Sequence, residues 1–424
     1  MTLPTVSVIV VNYNGRQHLS PCFSSLLALD YPTDRLELIL VDNASTDGSL
    51  DHMRQHFSGV RLIANARNWG LCRANNIGAA AAGGEVLAIL NNDTRVEPDW
   101  LKEIVRPFED PAVACVGSRI LSWDGARLDF AGGAMNFYGY GYHLDFGAPA
   151  DAVPGQDGPV LAPCGGVMAV RRDAYLEAGG EDEDFFVYYE DIDLGWRLWV
   201  LGHRVVMAPR AVGYHRHSAF YRAVPEARTR LLYERNALLA VIKNYDQANL
   251  RRVLPAALFL MLKRAYLFSG VDAANYHIEP SPAAAPAAKT PAHYLRAGWQ
   301  MIRRQGPGAL LHNVRAEARR RRADPTYDRW LRPRRARAHG GAEIVPQQTV
   351  SPLLAAADVV ALLPRAMEKR RAVQAARRRP DADILPLFGR PLDVSYADPD
   401  YEATQRELVR LFGLDALFEG EGAA

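Results

Sequence analysis

Cysteine is scarce in this chain of 424 residues. The four present, Cys22, Cys72, Cys115 and Cys164, lie far apart, with no C-x-x-C spacing and no clustered histidines. That pattern excludes a disulfide framework and a zinc-ribbon type of site, and it suits a reducing compartment. Long apolar runs are missing too. The longest near the middle, Val253–Leu262, is about half a membrane span, so no bilayer-crossing helix is expected. No basic stretch followed by an apolar core opens the chain, so no secretory signal is expected. The first strand-like run ends in Asn12-Tyr13-Asn14-Gly15 where a dinucleotide-binding oxidoreductase would have G-x-G-x-x-G. Between Gly78 and Gly84 there is no Gly-Lys-Ser/Thr, so a P-loop nucleotidase is unsupported as well.

What is present is an alternation. Val6–Val11, Leu36–Val41, Val60–Ala64, Val86–Leu90 and Ala114–Gly117 are apolar runs that read as buried strands. Helical spacing lies between them, as in Leu19–Leu29, which Tyr31-Pro32 stops. Such alternation predicts a doubly wound α/β sheet over residues 1–245. Residues 120–160 break the rhythm with glycines and with Phe137, Tyr138, Tyr140 and Tyr142, either as an irregular β insertion or as a loop over a site. Pro225 to Tyr245 reads as one long helix. Beyond it, 246–277 is expected to be helical and to lie on a membrane surface, 278–293 has Pro/Ala linker composition, and 294–424 is expected to be mainly helical and Arg-rich. The net charge of +2 conceals this asymmetry: Arg296 to Arg337 holds thirteen arginines against three acids, and Arg365 to Arg379 is a second basic run.

Polar groups gather where the strand-like runs end. Asp42 closes the second and is followed by Asn-Ala-Ser-Thr-Asp-Gly, which turns the chain and starts a helix. In an open α/β sheet the carboxyl ends of strands form the ligand crevice, where a carboxylate can accept hydrogen bonds from a nucleobase or ribose. Val11-Asn12-Tyr13 closes the first run. Arg67-Asn68-Trp69-Gly70 leads into an amide-rich helix with Asn75, and Asn91-Asn92-Asp93-Thr94 ends a further run. Phe185-Phe186-Val187-Tyr188-Tyr189 precedes Glu190-Asp191-Ile192-Asp193, three acids at a helix start. Tyr214-His215-Arg216-His217 follows the last strand-like run.

Taken in order, these segments resemble the family 2 inverting glycosyltransferases of GT-A fold over roughly residues 4–245, and within them the rhamnosyltransferase-like members, which share the Asp-Asn-Ala-Ser and Asn-Asn-Asp-Thr wording. The resemblance implies a GT-A type nucleotide-diphospho-sugar transferase with a helical C-terminal extension. It assigns donor binding to Val11, Asn12, Tyr13, Asp42, Asn43, Asn68, Gly70, Asn75, Asn91 and Asn92. Asp93 falls at the metal motif, with His215 in support, and Asn91 replaces the motif's first acid. Asp191 is the implied catalytic base, beside Glu190, and Gly165-Gly166 is the implied acceptor-side turn. The cofactor expected is a divalent cation, Mg²⁺ or Mn²⁺, which takes oxygen ligands from carboxylate and phosphate.

The resulting expectation is a non-processive, inverting, metal-dependent transferase. It moves one sugar, rhamnose for this subgroup, from a nucleotide-diphosphate donor to a hydroxyl of a cell-envelope glycan or lipid-linked acceptor. A processive synthase would need membrane spans. A catalytically silent member serving as a membrane-surface or assembly scaffold is the alternative. The basic runs are read as solvated helix faces or as contacts with an anionic membrane, on the cytoplasmic face of the inner membrane. Nucleic acid is not expected, because no reader motif accompanies the arginines.

Overall fold

The computed structural model describes residues 3–152, 155, 157–216, 226–269 and 347–418. The proposed linker 278–293, the Arg296–Arg337 run, His217 and Pro225 lie outside the described residues. Chain contacts group residues 1–269 with 346–424 as one unit, and everything below concerns that unit.

All seven residues of β1, Val6–Asn12, are buried. This is why the run shows no polar alternation: both faces of the strand are covered. Val6, Val8 and Val10 enter one core with Leu19, Phe23 and Leu26. These three belong to α1 (Arg16–Leu27). Ile9 and Val11 enter the other core, with Cys72 and Ala74, from α3 (Leu71–Ala81). The remaining strands are β2 (Leu36–Asp42), β3 (Arg61–Ala64), β4 (Val86–Asn91), β5 (Thr94–Val96), β6 (Val113–Ser122), β7 (Leu128–Phe130), β8 (Gly133–Met135), β9 (Gly141–His143), β10 (Gly158–Pro159), β11 (Val167–Arg171) and β12 (Arg204–His215). Short helices α2 (Ser49–His56), α4 (Trp100–Val105) and α5 (Arg172–Glu177) and the longer α6 (Glu190–Val200) complete this part.

The main sheet runs β10-β12-β6-β11-β4-β1-β2-β3, with β5 on β12 and β7 on β6. It is mixed: β1 pairs in parallel with β2 and β4, while β11 is antiparallel to both β4 and β6. The chain leaves β1 toward β2 and β3 and then returns to its other side at β4. The carboxyl end of β1 is therefore the point where strand order reverses, the place where open α/β sheets bind ligands. Register sets the polar ends level there, Asn12 opposite Asp42 and Val11 opposite Asn91.

Between β6 and β11 the chain forms the short, irregular strands β7 to β10, so the glycine- and aromatic-rich insertion is β structure. Phe137 and Tyr138 are buried within it. The long helix expected from Pro225 is α7 (Glu226–Asn244), followed by α8 (Gln247–Leu267), whose start Asp246 caps through the Asn249 amide. Residues 347–418 are helical, with α9 (Gln347–Ala375), α10 (Asp381–Ile384), α11 (Pro399–Phe412) and α12 (Leu414–Phe418). They pack on α7 and α8 through Ala355, Val359, Phe388, Tyr401 and Leu408, in the core that also holds Trp196.

One sequence expectation is corrected in part. The basic run Arg365–Arg379 is a solvated face only at Arg365, Arg371 and Arg378. Arg370 is buried and donates to the carbonyls of Ile242 and Tyr245, and Arg378 and Arg379 donate to carbonyls of residues 201–203. Their planar forks satisfy carbonyls at the ends of α6 and α7 that no helical turn follows. Among the described residues one stretch, Thr349–Ala375 in α9, has the length and composition of a membrane span, at mean hydropathy 1.5, but it puts Ala355, Val359 and Ala366 into the protein core.

Candidate active site

Asp42 is fully buried at the end of β2. One carboxylate oxygen accepts from Asn12 Nδ2 at 2.9 Å and the other from the Ser45 amide at 2.8 Å. Asn12 Oδ1 in turn accepts from Asn92 Nδ2 at 2.7 Å, so a single amide–carboxylate chain ties the ends of β1, β2 and β4. Val11 and Asn12 are buried, and Tyr13 projects into solvent just beyond them. Asn43 Nδ2 donates to the Gly70 carbonyl at 3.1 Å, and Asn68 Oδ1 accepts the Gly70 amide at 2.9 Å. Gly70 has φ 87°, and a Cβ there would stand 2.6 Å from the Phe186 carbonyl oxygen. Only glycine serves at that junction. Asn75 lies further along α3, and its amide nitrogen spends both donors on Glu181 at 3.1 Å. The structure therefore brings Val11, Asn12, Tyr13, Asp42, Asn43, Asn68, Gly70, Asn91 and Asn92 to one sheet end and commits Asn75 to a buried acid.

Asp93 follows β4 and is 8% exposed. Pairing of β5 with β12 sets His215 opposite Thr94, next to it. His215 Nε2 lies 3.2 Å from Asp93 Oδ1, and its Nδ1 lies 2.8 Å from Asp129 Oδ2. Burial works against the charged ring, but the two carboxylates outweigh it and lift the His215 pKa to about 10. Burial raises the Asp93 carboxyl, and the hydrogen bond from His215 more than offsets that and holds it below its ordinary value. Asp129, in β7, was not anticipated. Nothing local marks it, since its partner is 86 residues away. His18 was also missed. It is buried on α1 within electrostatic reach of Asp93, and both its ring nitrogens lack a hydrogen-bond partner among the described residues.

Asp191 is the second residue of α6 and is half-buried. Its Oδ2 accepts the Gly165 amide at 2.8 Å and its Oδ1 the Ile192 amide at 2.8 Å. Burial raises its pKa, against those two amides and the nearby His143, which pull it down. A Cβ on Gly165 would lie 3.3 Å from the Asp191 Cβ, and one on Gly166 would lie 3.3 Å from Asn91 Nδ2. Two consecutive glycines thus separate the base candidate from the end of β4, where a side chain would fill the space. Glu190 is buried, and its Oε2 has no hydrogen-bond partner among the described residues. Burial first, then the neighbouring Asp191 and Glu181 carboxylates, push its pKa well up. Asp193 turns away, fully buried against Arg197 and Lys243. Asp191 and Glu190 both reach the Gly165 turn, Glu190 Oε1 lying 3.4 Å from where a Gly165 Cβ would stand, but Asp191 is the one that accepts the Gly165 amide.

Residues 7–175 match the family model described as Glycosyl transferase family 2, so this part of the chain is similar to that family. The chain is 32% identical over 243 residues to O-antigen biosynthesis protein RfbC of Myxococcus xanthus, covering 53% of this chain and 18% of that protein. It is 29% identical over 222 residues to inactive polypeptide N-acetylgalactosaminyltransferase-like protein 5 of Macaca fascicularis, covering 49% of this chain and 50% of that one. The chain thus spans half or less of the length of these curated relatives. Among solved structures it is similar to GalNAc-T7 with UDP, GalNAc and Mn²⁺, at TM-score 0.49 and 20% identity, over 65% of this chain and 53% of that chain.

Proposed function

We propose that this chain transfers a single sugar from a nucleotide-diphosphate donor to a hydroxyl acceptor with inversion at the anomeric carbon. The observation that carries the reading is Asp191, a carboxylate held by the Gly165 amide and separated only by Gly165-Gly166 from the strand end where α/β sheets bind ligands. Direct displacement needs a base within reach of the acceptor hydroxyl, on the face opposite the leaving group. Asp191 takes that proton. Its raised pKa makes it a better base than a solvated aspartate, and the two amides fix its orientation. Burial and the neighbouring Asp191 and Glu181 carboxylates push the Glu190 carboxyl well up, which disfavours a second negative charge beside the donor's phosphates. The chain of Asn12, Asp42 and Asn92 holds the nucleoside end of the donor, with Asn43, Asn68 and Gly70 shaping its far wall.

Among the described residues no cluster of three or more His, Cys, Asp or Glu could hold a metal by itself, so Asp93 and His215 would offer two ligands, with donor phosphate and water adding the rest. Asp93 Oδ1 and His215 Nε2 stand 3.2 Å apart, close to the ~3 Å between neighbouring ligand atoms on one octahedral ion with bonds of about 2.1 Å. Asp129 on the other ring nitrogen is the carboxylate that orients a ligating histidine. Asp93 and His215 would hold the ion, and when bound it would neutralise charge developing on the departing diphosphate.

The acceptor proposed is a cell-envelope glycan or lipid-linked sugar, and the donor sugar proposed is rhamnose. The O-antigen naming of the Myxococcus xanthus relative supports a glycan acceptor. The chain would act at the cytoplasmic face of a membrane. A thermal-shift screen of nucleoside diphosphates and sugar nucleotides, with and without Mn²⁺, tests the donor site. The matching nucleotide should raise Tm through linkage, more so with the ion. A folded chain that no nucleotide stabilises would overturn the reading.

A further inference from the structure

Among the described residues six non-glycine positions have left-handed backbone, and three of them lie immediately ahead of Asp191: Phe186 at φ 68°, Tyr188 at 73° and Tyr189 at 67°. Bulky side chains avoid this region because Cβ crowds the following carbonyl. Such strain persists only where the surroundings over-determine it, and it clusters at functional sites. Here the surroundings are identifiable. Arg235 donates to the carbonyls of Asp184 and Phe185 at 3.0 and 2.9 Å. Asn236 is fully buried, and its Nδ2 lies 3.1, 2.9 and 2.8 Å from the carbonyls of Phe185, Val187 and Tyr188. The Phe186 carbonyl is taken by the Leu71 amide at the start of α3, at 2.7 Å. Five successive carbonyls, 184 to 188, are thereby captured from outside the loop. At its upstream end, Lys369 of α9 binds Asp182 and, at 2.6 Å, Asp184.

We infer that Asn236 and Lys369 are positioning residues for the Asp191 carboxylate. The inference rests on the glycosyltransferase reading for its kinetic consequence. Neither side chain touches Asp191. They hold the loop that enters α6 at Tyr189, two residues before the base, so the first turn of α6 starts in the orientation that meets the Gly165 amide. Released, the three left-handed residues relax toward ordinary backbone and the first turn of α6 rotates with them. This gives the C-terminal helix α9 a role in the reaction, although it lies about 180 residues from the base in sequence.

Lys369 is one-third exposed at the edge of the clamp, so Lys369→Met should fold. Asn236→Ala tests the centre, and Lys369→Arg restores the charge. Amide hydrogen exchange over residues 185–193 of the full chain should speed up in both disrupting variants and return in Lys369→Arg. With a turning-over donor, kcat should fall roughly 10–100-fold, the cost of a misplaced reacting group, while donor KM and nucleoside diphosphate affinity by calorimetry hold. Unchanged exchange in Lys369→Met overturns the inference, as does a variant with lowered Tm but wild-type kcat. A wild-type chain that turns over no sugar nucleotide overturns the functional reading instead, and exchange then decides whether these side chains hold the loop.

Discussion

At the scale of single residues, Asp191 and Glu190 are chemically similar neighbours in different surroundings, and burial raises the pKa of both. Two amides serve Asp191, whereas Glu190 is buried with one oxygen unpaired. Asp191→Asn keeps the size and loses the base. Its kcat should drop about 10²–10⁴-fold with little change in donor affinity, and NMR of the wild-type product should show inverted anomeric configuration. A near-wild-type rate in Asp191→Asn, or retention, would remove Asp191 from its role. Glu181 carries a pH signature of its own. Burial pushes its pKa up to about 8, only partly countered by Asn75. An acid whose folded pKa is raised is deprotonated first in the unfolded chain. Stability from this group is therefore highest below its unfolded value near 4.5 and falls as pH rises to about 8. Glu181→Gln should flatten that decline, with a Tm at pH 8 above wild type in calorimetric scans. Asp42, Asp93 and Asp191 were legible in the sequence because each ends a strand or opens a helix beside characteristic neighbours. Asp129, His18 and Asn236 were not, because their partners come from tertiary pairing across tens of residues, and a local pattern carries no trace of that.

Among elements, the buried strands β1, β2 and β4 could be read to within a residue or two because strands covered on both faces are written in nearly continuous apolar residues, interrupted here only by Ser7 and Glu37 before their polar ends. The insertion between β6 and β11 could be read only as irregular, since its three-residue strands are too short for any period to show. The helices after α7 were foreseen as helices but not as part of the core. Beside their apolar contacts in the core, they carry buried polar contacts no hydrophobic pattern announces, above all the Arg264–Glu234 pair. Arg264 of α8 binds Glu234 of α7 through two bonds of 2.7 and 2.6 Å and donates to Tyr401 of α11 at 2.8 Å, all three residues buried. Removing one partner strands the other charge. Glu234→Gln should destabilise by about 3–5 kcal/mol, the usual result for half of a buried pair. Replacing the pair together by Met and Leu should cost far less. Chemical denaturation of both variants checks this, and a mild Glu234→Gln would mean that Arg264 finds another acceptor.

For the whole molecule, the question is what lies against the outer face of α8. Ala256, Ala257, Leu260 and Met261 turn into the core, while Leu258, Phe259, Leu262 and Tyr266 are exposed. Only three of the ten residues of the apolar stretch Val253–Leu262 are therefore exposed. A stripe of that size beside the exposed Arg251 has apolar residues for the acyl boundary of an interface, while Arg252 is spent on the Phe412 and Gly413 carbonyls and Lys263 on Asp400. The thirteen arginines between Arg296 and Arg337 add charge, although they lie outside the described residues. We predict peripheral binding to anionic lipid in two separable parts. The electrostatic part should weaken steeply with salt, since exposed charges are screened within about 10 Å at 0.1 M. The apolar part should not, and Phe259→Ser with Leu262→Ser should reduce binding at every ionic strength. Flotation with neutral and anionic vesicles across a salt series separates them. Equal recovery on both vesicle types excludes the electrostatic part, and a double variant that floats like wild type excludes the α8 stripe.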